Sequence, residues 1–396
     1  MTTRSARLAP PRGTRPRNRR DLVIAAATDL FHRHGYEQVS MSAVAEAVNV
    51  SPSALYRHFS SKPDLLIAAV VTEMTPFRQV FDSCAQADAG LDVLVDGLVG
   101  VAADVRRLGV LWQQEARSLP PGAFAELRAE IRRTLGQLAA IIRAKRPELA
   151  AADAELLAAS TCSALCGASP RSRDLTRGEF ERVFGHIARS VLGAEPATAA
   201  DEIGAADHLP SARRERLLSA AANLFGARGY DTVSMEEIGA EAGVAGPTIY
   251  HHFASKLDLL TAAVERSMEW VWRDLYRALA EAGDHERGTA ILRGYLDFVD
   301  RHGGYAAILA TETRHLPADV GDRIQQSRRD YFGEWLEHIR AQHVAIGEAE
   351  ARIRLDAVLA VAVDLARTPH LRTRPGAFAT VERIADAVLF GPSTAP

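Results

Sequence analysis

Cysteine is almost missing from this chain: Cys84, Cys162 and Cys166 are the only three in 396 residues. Three thiols cannot all pair with one another, and a chain this long needs no disulfide staple, so the expected compartment is the reducing cytoplasm. No apolar run reaches the roughly eighteen residues that a membrane span requires. Arg19-Arg20 imitates a twin-arginine signal, but Asp21, Asp29, His32 and Arg33 break up the stretch behind it, leaving no apolar signal core. Glycine-rich phosphate loops, a Gly-x-Ser-x-Gly elbow and zinc-ligand spacings are all lacking. His34, His58, His186 and the pair His251-His252 are scattered along the chain and form no ligand pattern. These absences argue against an enzyme, and neither a metal nor a cofactor is expected.

The apolar share of 47% and charged share of 24% are those of an ordinary globular protein. The length suggests several domains. The net charge of −3 conceals an asymmetry, because the first twenty residues hold seven arginines and no acid. Residues 1–18 lack apolar periodicity and read as a disordered basic arm. Such an arm is either a solvated tail or a contact for DNA phosphates and the minor groove.

A repeat organises the rest. Val39–Leu66 (VSMSAVAEAVNVSPSALYRHFSSKPDLL) and Val233–Leu260 (VSMEEIGAEAGVAGPTIYHHFASKLDLL) align without a gap at a shift of 194 residues, Phe31 and Phe225 included. In the first copy Leu22, Val23, Ala26, Ala27, Leu30 and Phe31 recur at helical spacing up to Gly35, which can end that helix. Ser40 is placed to cap a helix over 41–48. Ser51 is placed to cap another over 52–58, with Pro52 at its first position, where its missing amide costs nothing. Two short helices around a tight turn predict a helix-turn-helix.

The F-x-x-x-G-Y-x-x-V-S-M opening, the L-Y-R-H-F or I-Y-H-H-F helix and the S-K-x-D-L-L after it resemble the DNA-binding domain of the tetracycline-repressor (TetR) family, over residues 19–66 and again over 213–260. The resemblance implies an all-α fold of two fused TetR-like units. Each would hold a three-helix reader and a helical body for ligand binding and dimerisation. It places Ser51, Pro52, Ser53 and Ala54 at base edges, with Tyr56, His58 and Lys62 at the backbone phosphates and Arg57 among the DNA-binding residues. Ala245, Gly246, Pro247, Thr248, Tyr250, His251, His252 and Lys256 take these places in the second copy. Ala245 loses the cap of Ser51 and His251 loses the fixed charge of Arg57, so the two readers differ where they meet DNA.

The bodies repeat as well: Glu115, Arg117, Leu119 and Pro120 return as Glu312, Arg314, Leu316 and Pro317, now 197 residues on. Glu115 and Arg117 stand two apart and do not face each other on a helix. They read as ligand contacts or as partners of neighbouring helices. Trp112, Glu115, Tyr305 and Glu312 are the candidate effector contacts, and the aromatic-rich second body suits a hydrophobic or planar molecule. The alternative is plain core. Cys162 and Cys166, amid alanines and a glycine, read as a close helix contact rather than a redox sensor.

The expected divisions are an arm (1–18), a reader (19–66), a body (67–193), a small-residue linker (194–210), a second reader (211–260) and a second body (261–391). The expected function is a ligand-responsive repressor binding double-stranded DNA. It would work as a one-chain pseudo-dimer, with 152–192 docked on 348–390, and would not touch a membrane. The alternative is a regulator or sensor that homodimerises chain to chain with a degenerate second reader.

Overall fold

The computed structural model describes residues 19–113, 115–167, 172, 174–198, 211–244, 246–283, 286–342 and 346–391. The basic arm, most of the linker and Ala245 lie outside them. Among the described residues every regular element is helical, and no helix is long and apolar enough to cross a membrane. Two compact units, Met1–Gln137 and Leu138–Pro396, divide the chain. The division falls inside a helix of the first body and not at the boundary between the copies.

In the first copy the helices are α1 (Arg19–His34), α2 (Met41–Ala47), α3 (Pro52–Tyr56), α4 (Lys62–Gln86), α5 (Leu91–Asp104), α6 (Leu108–Gln113), α7 (Pro121–Lys145), α8 (Ala151–Cys166) and α9 (Arg177–Gly193). A 3-10 turn, Glu115–Ser118, comes after α6. The α3 helix stops two residues short of the expected 52–58. The second copy comprises α10 (Arg213–Arg228), α11 (Met235–Ala242), α12 (Gly246–His252), α13 (Lys256–Glu281), α14 (Arg287–Arg301), α15 (Gly303–Thr311), α16 (Ala318–Gln342), α17 (Glu348–Ala366), α18 (Pro369–Arg372) and α19 (Ala377–Phe390). Its 3-10 turn is Thr313–His315.

The three-helix readers fold for local reasons. Val23, Ala27 and Phe31 of α1 are buried with Val44 of α2, Leu55 of α3 and Leu65 of α4, which gives the short α2 and α3 the support they need. Ser40, Ser51 and Ser61 each cap a helix by accepting from the amide three residues on, at 3.1, 3.2 and 3.1 Å. In α11 Ser234 adds a reciprocal bond from Glu237, a capping box that Ala43 cannot make in α2.

In the second unit α8 and α9 pack on α17 and α19. Ala154, Leu157, Ala164, Val183, Ile187 and Val191 are buried on the first pair, and Ala351, Val358, Val361, Val381 and Ile384 are buried on the second. Polar bonds cross between the two pairs: Ser163 Oγ to Asp364 at 2.7 Å, Arg182 to Glu350 at 2.8 Å, and His186 Nε2 with the Val388 carbonyl at 3.2 Å. Asp153 pairs with Arg374 and Glu155 with His370. The first residues after α9 belong to this layer too. Ala194 and Ala197 are buried, and the Ala197 amide donates to Thr380 Oγ1 at 2.9 Å. Cys162 and Cys166 lie on α8, where burial pushes the Cys162 thiol up to about 12 and Cys166 in the same direction.

Candidate DNA-reading interface

The first reader presents Ser51, Pro52 and Ser53 to solvent and leaves Ala54 half-buried. Ser51 divides its hydroxyl between the cap and Ser53 Oγ at 3.0 Å. Tyr56 is 53% exposed although its neighbours Leu55 and Phe59 are buried, and Arg57 and His58 stand beside it in solvent. A phenol ring left in water on a short helix end is available for a phosphate, not used for packing. The second reader repeats this: Tyr250 is 54% exposed and His251 and His252 are exposed, while Ile249 and Phe253 are buried. Thr248 is half-buried at the start of this face, on which Gly246 and Pro247 also fall by sequence.

The lysines are placed differently from expectation. Lys256 Nζ donates to the Tyr230 and Val233 carbonyls at 2.9 and 3.0 Å and lies 4.2 Å from the Tyr230 ring centroid. Lys62 Nζ lies the same 4.2 Å over Tyr36 and reaches the Glu37 carbonyl at 3.4 Å. Each half-buried lysine thus reaches the loop between the first two helices of its own reader and donates to its carbonyls. Burial, with Glu37 and Asp64 nearby, pushes the Tyr36 hydroxyl up to about 12, which keeps that ring neutral under the cation. Sequence reasoning does not single out Arg20 and Arg214 as reader residues. They stack over Phe59 and Phe253 at 5.0 and 4.9 Å, tying the start of the first helix to the end of the reading helix. Their one signal is the equal 194-residue shift of both partners.

The four candidate effector contacts do not form one set. Trp112 stacks on Phe124 at 5.9 Å. Tyr305 is buried against Trp270, with ring centroids 4.8 Å apart. Glu115 accepts from the Tyr36 amide at 2.5 Å and Glu312 from the Tyr230 amide at 3.1 Å, so both carboxylates reach into the reader of their own copy.

The two readers also sit on their bodies differently. In the second copy α10 and α15 cross at Gly226 and Gly304, where a Cβ on Gly304 would come within 2.8 Å of the Asn223 backbone. By the repeat shifts, His32 and Arg107 stand at those positions in the first copy, so this close crossing cannot form there.

A buried three-helix core with an exposed third helix, present twice on helical bodies, defines a pair of helix-turn-helix DNA-binding domains. The profile described as "Bacterial regulatory proteins, tetR family" matches residues 23–69 and 217–263, so both readers are tetR-family DNA-binding domains, duplicated in tandem. The chain is similar to the HTH-type transcriptional activator FasR of Mycolicibacterium smegmatis, 35% identical over 25% of this chain and 47% of FasR. It is likewise similar to the HTH-type transcriptional repressor KstR2 of Rhodococcus jostii, 26% identical over 45% of this chain and 88% of KstR2. The first of these matches therefore takes in about half of the relative's length. The solved structure of the ketosteroid transcriptional regulator KstR2 of Mycobacterium tuberculosis aligns with 48% of this chain and 99% of its own, at 19% identity and a TM-score of 0.40.

Proposed function

We propose that this chain is a ligand-responsive transcriptional repressor whose two readers engage one asymmetric, pseudo-palindromic operator from a single polypeptide. The observation that carries the reading is the internal four-helix packing of α8 and α9 on α17 and α19, with polar bonds crossing between the pairs. Helix-turn-helix pairs read successive major-groove faces about 34–36 Å apart, and holding two readers at that spacing requires such a joint. In each reader, Tyr56 or Tyr250 and the residues after them set the register on the phosphates. The residues at the start of α3 and α12 meet base edges, and their different identities give unlike half-sites.

An effector releases DNA only by binding the DNA-incompetent arrangement more tightly than the competent one. The aromatic cluster of the second body supports a hydrophobic or planar effector. In it Tyr295 and Tyr331 lie edge-on to Trp335 at 5.8 and 6.1 Å, and Trp272 lies 5.5 Å from Tyr331. The test is to select operators from random duplexes with purified protein and measure the mass of the complex by light scattering. One chain protecting two unlike half-sites is expected; two chains on a perfect palindrome would overturn the reading.

A second reading, chain-to-chain pairing with a weakened second reader, has its own support. The α11 helix carries Glu236, Glu237 and Glu241, whereas α2 carries Glu46 alone, and acids on the helix that crosses the DNA backbone repel phosphate. Tyr250→Ala with unchanged operator affinity would favour it.

A further inference from the structure

The turn between the first two reader helices is held from both sides, and the same hold is built twice. From within the reader, Lys62 or Lys256 takes its carbonyls. From the body, a glutamate takes its amide: Glu115, 6% exposed, binds Tyr36, and Glu312, 1% exposed, binds Tyr230. Removing a carboxylate this far from water is unfavourable unless it is well bonded, so its position is tied to that amide. Gly35 and Gly229, at φ +80° and +86°, turn the chain just before the bonded amide. A Cβ on Gly35 would already stand 3.6 Å from Glu115 Oε2, so the carboxylate lies directly against the turn.

Both glutamates sit where a short body helix ends. Glu115 opens the 3-10 turn after α6, and Glu312 is the residue after α15. Movement of either short helix is therefore passed to its reader through a charged hydrogen bond as well as through direct helix contact. We propose that Glu115 and Glu312 are positioning residues that transmit the setting of each body to its reader. The proposal rests on the reading that the readers bind DNA. The copies are not equal in this respect. The second reader is also fixed by the glycine crossing of α10 and α15, where the first copy has instead the solvent-screened Arg107–Asp29 pair at 3.8 Å, so the first depends more heavily on its carboxylate.

The experiment uses the full chain and an operator obtained by selection, comparing Glu115→Ala, Glu115→Gln and Glu312→Ala. Losing a charge-assisted hydrogen bond at a buried amide should weaken protection of the first half-site at least about tenfold in Glu115→Ala. The second half-site should stay unchanged, and the effect of Glu312→Ala should be smaller. Glu115→Gln keeps an acceptor oxygen and should recover most of the loss, which a merely destabilising substitution would not predict. Without DNA, amide exchange across residues 35–39 should accelerate in Glu115→Ala while α4 stays protected. Wild-type footprint and exchange in Glu115→Ala, or equal loss at both half-sites, would overturn the proposal. If Glu115→Ala does not fold, fast exchange of the Tyr36 amide in the wild-type chain would overturn it instead. A wild-type chain that protects no half-site would remove the DNA reading, while the exchange arms would still judge the bond.

Discussion

Glu350 and Arg354 offer the sharpest quantitative test of the four-helix layer. The Arg354 side chain is fully buried, donating to Glu350 at 2.7 Å and to the Val388 carbonyl at 3.1 Å. Arg182 of α9 reaches the other Glu350 oxygen at 2.8 Å. Burial alone would raise the Glu350 pKa, but the bonds from Arg182 and Arg354 outweigh it and hold the carboxyl below its ordinary range. Glu350→Ala strands a guanidinium that has no water, a change that costs about 3–5 kcal/mol. At about 2–4 °C per kcal/mol for a unit of this size, the midpoint should fall by roughly 6–20 °C. Arg354→Leu is the contrasting variant, because the repeat shift of 197 residues puts Leu157 at this position in the first copy. It leaves Glu350 paired with Arg182 and replaces a buried charge by an apolar group, so its cost should be under about 2 kcal/mol. Thermal and urea unfolding of both variants decide the matter. Arg354→Leu proving as damaging as Glu350→Ala, or Glu350→Ala unfolding like wild type, would refute the reasoning.

The readers and α8 yield three further expected outcomes. His315 lies 3.6 Å from Glu312 and 3.7 Å from Asp231, its ring tilted against Tyr230, with Arg314 and Lys256 also near. Burial lowers its pKa despite those acids, so the second reader's hold should be complete above about 6.5 and weaken as pH falls below it. Ser118 stands at this position in the first copy, so exchange measured against pH should show the window at 229–233 and not at 35–39, and His315→Gln should remove it. Lys256→Met should destabilise the second reader by about 1 kcal/mol, because two part-buried carbonyls lose their donor. A lysine serving phosphate alone would instead lower only operator affinity and its salt dependence. Cys162 and Cys166 should resist alkylation at pH 8 in the folded chain, since burial keeps both thiols protonated; rapid labelling would contradict that.

The readers are legible in the sequence because what makes them is local: serine caps, Pro52, an apolar period and a motif written twice. The exposure of Tyr56 and Tyr250 beside buried Leu55 and Ile249 arises from the same short helices. What sequence cannot supply is the partner of a long side chain. Lys62 reads as a phosphate contact, but its ammonium reaches 25 residues back to the Glu37 carbonyl. Glu115 binds an amide 79 residues away and Glu312 one 82 residues away, which no helical spacing predicts. The repetition of Glu115 as Glu312 marks the position as shared without saying what it touches. The end of α6 before the 3-10 turn is equally hidden, because apolar periodicity runs through both pieces.

The packing of α8 and α9 on α17 and α19 changes what a single substitution does. When two identical chains associate, every change at the joint appears on both sides at once, and assembly depends on concentration. Here the two sides are separate stretches of one polypeptide held at a fixed effective concentration by the intervening chain. Each can vary alone, and Leu157 facing the layer in one copy where Arg354 does so in the other is what that freedom leaves behind.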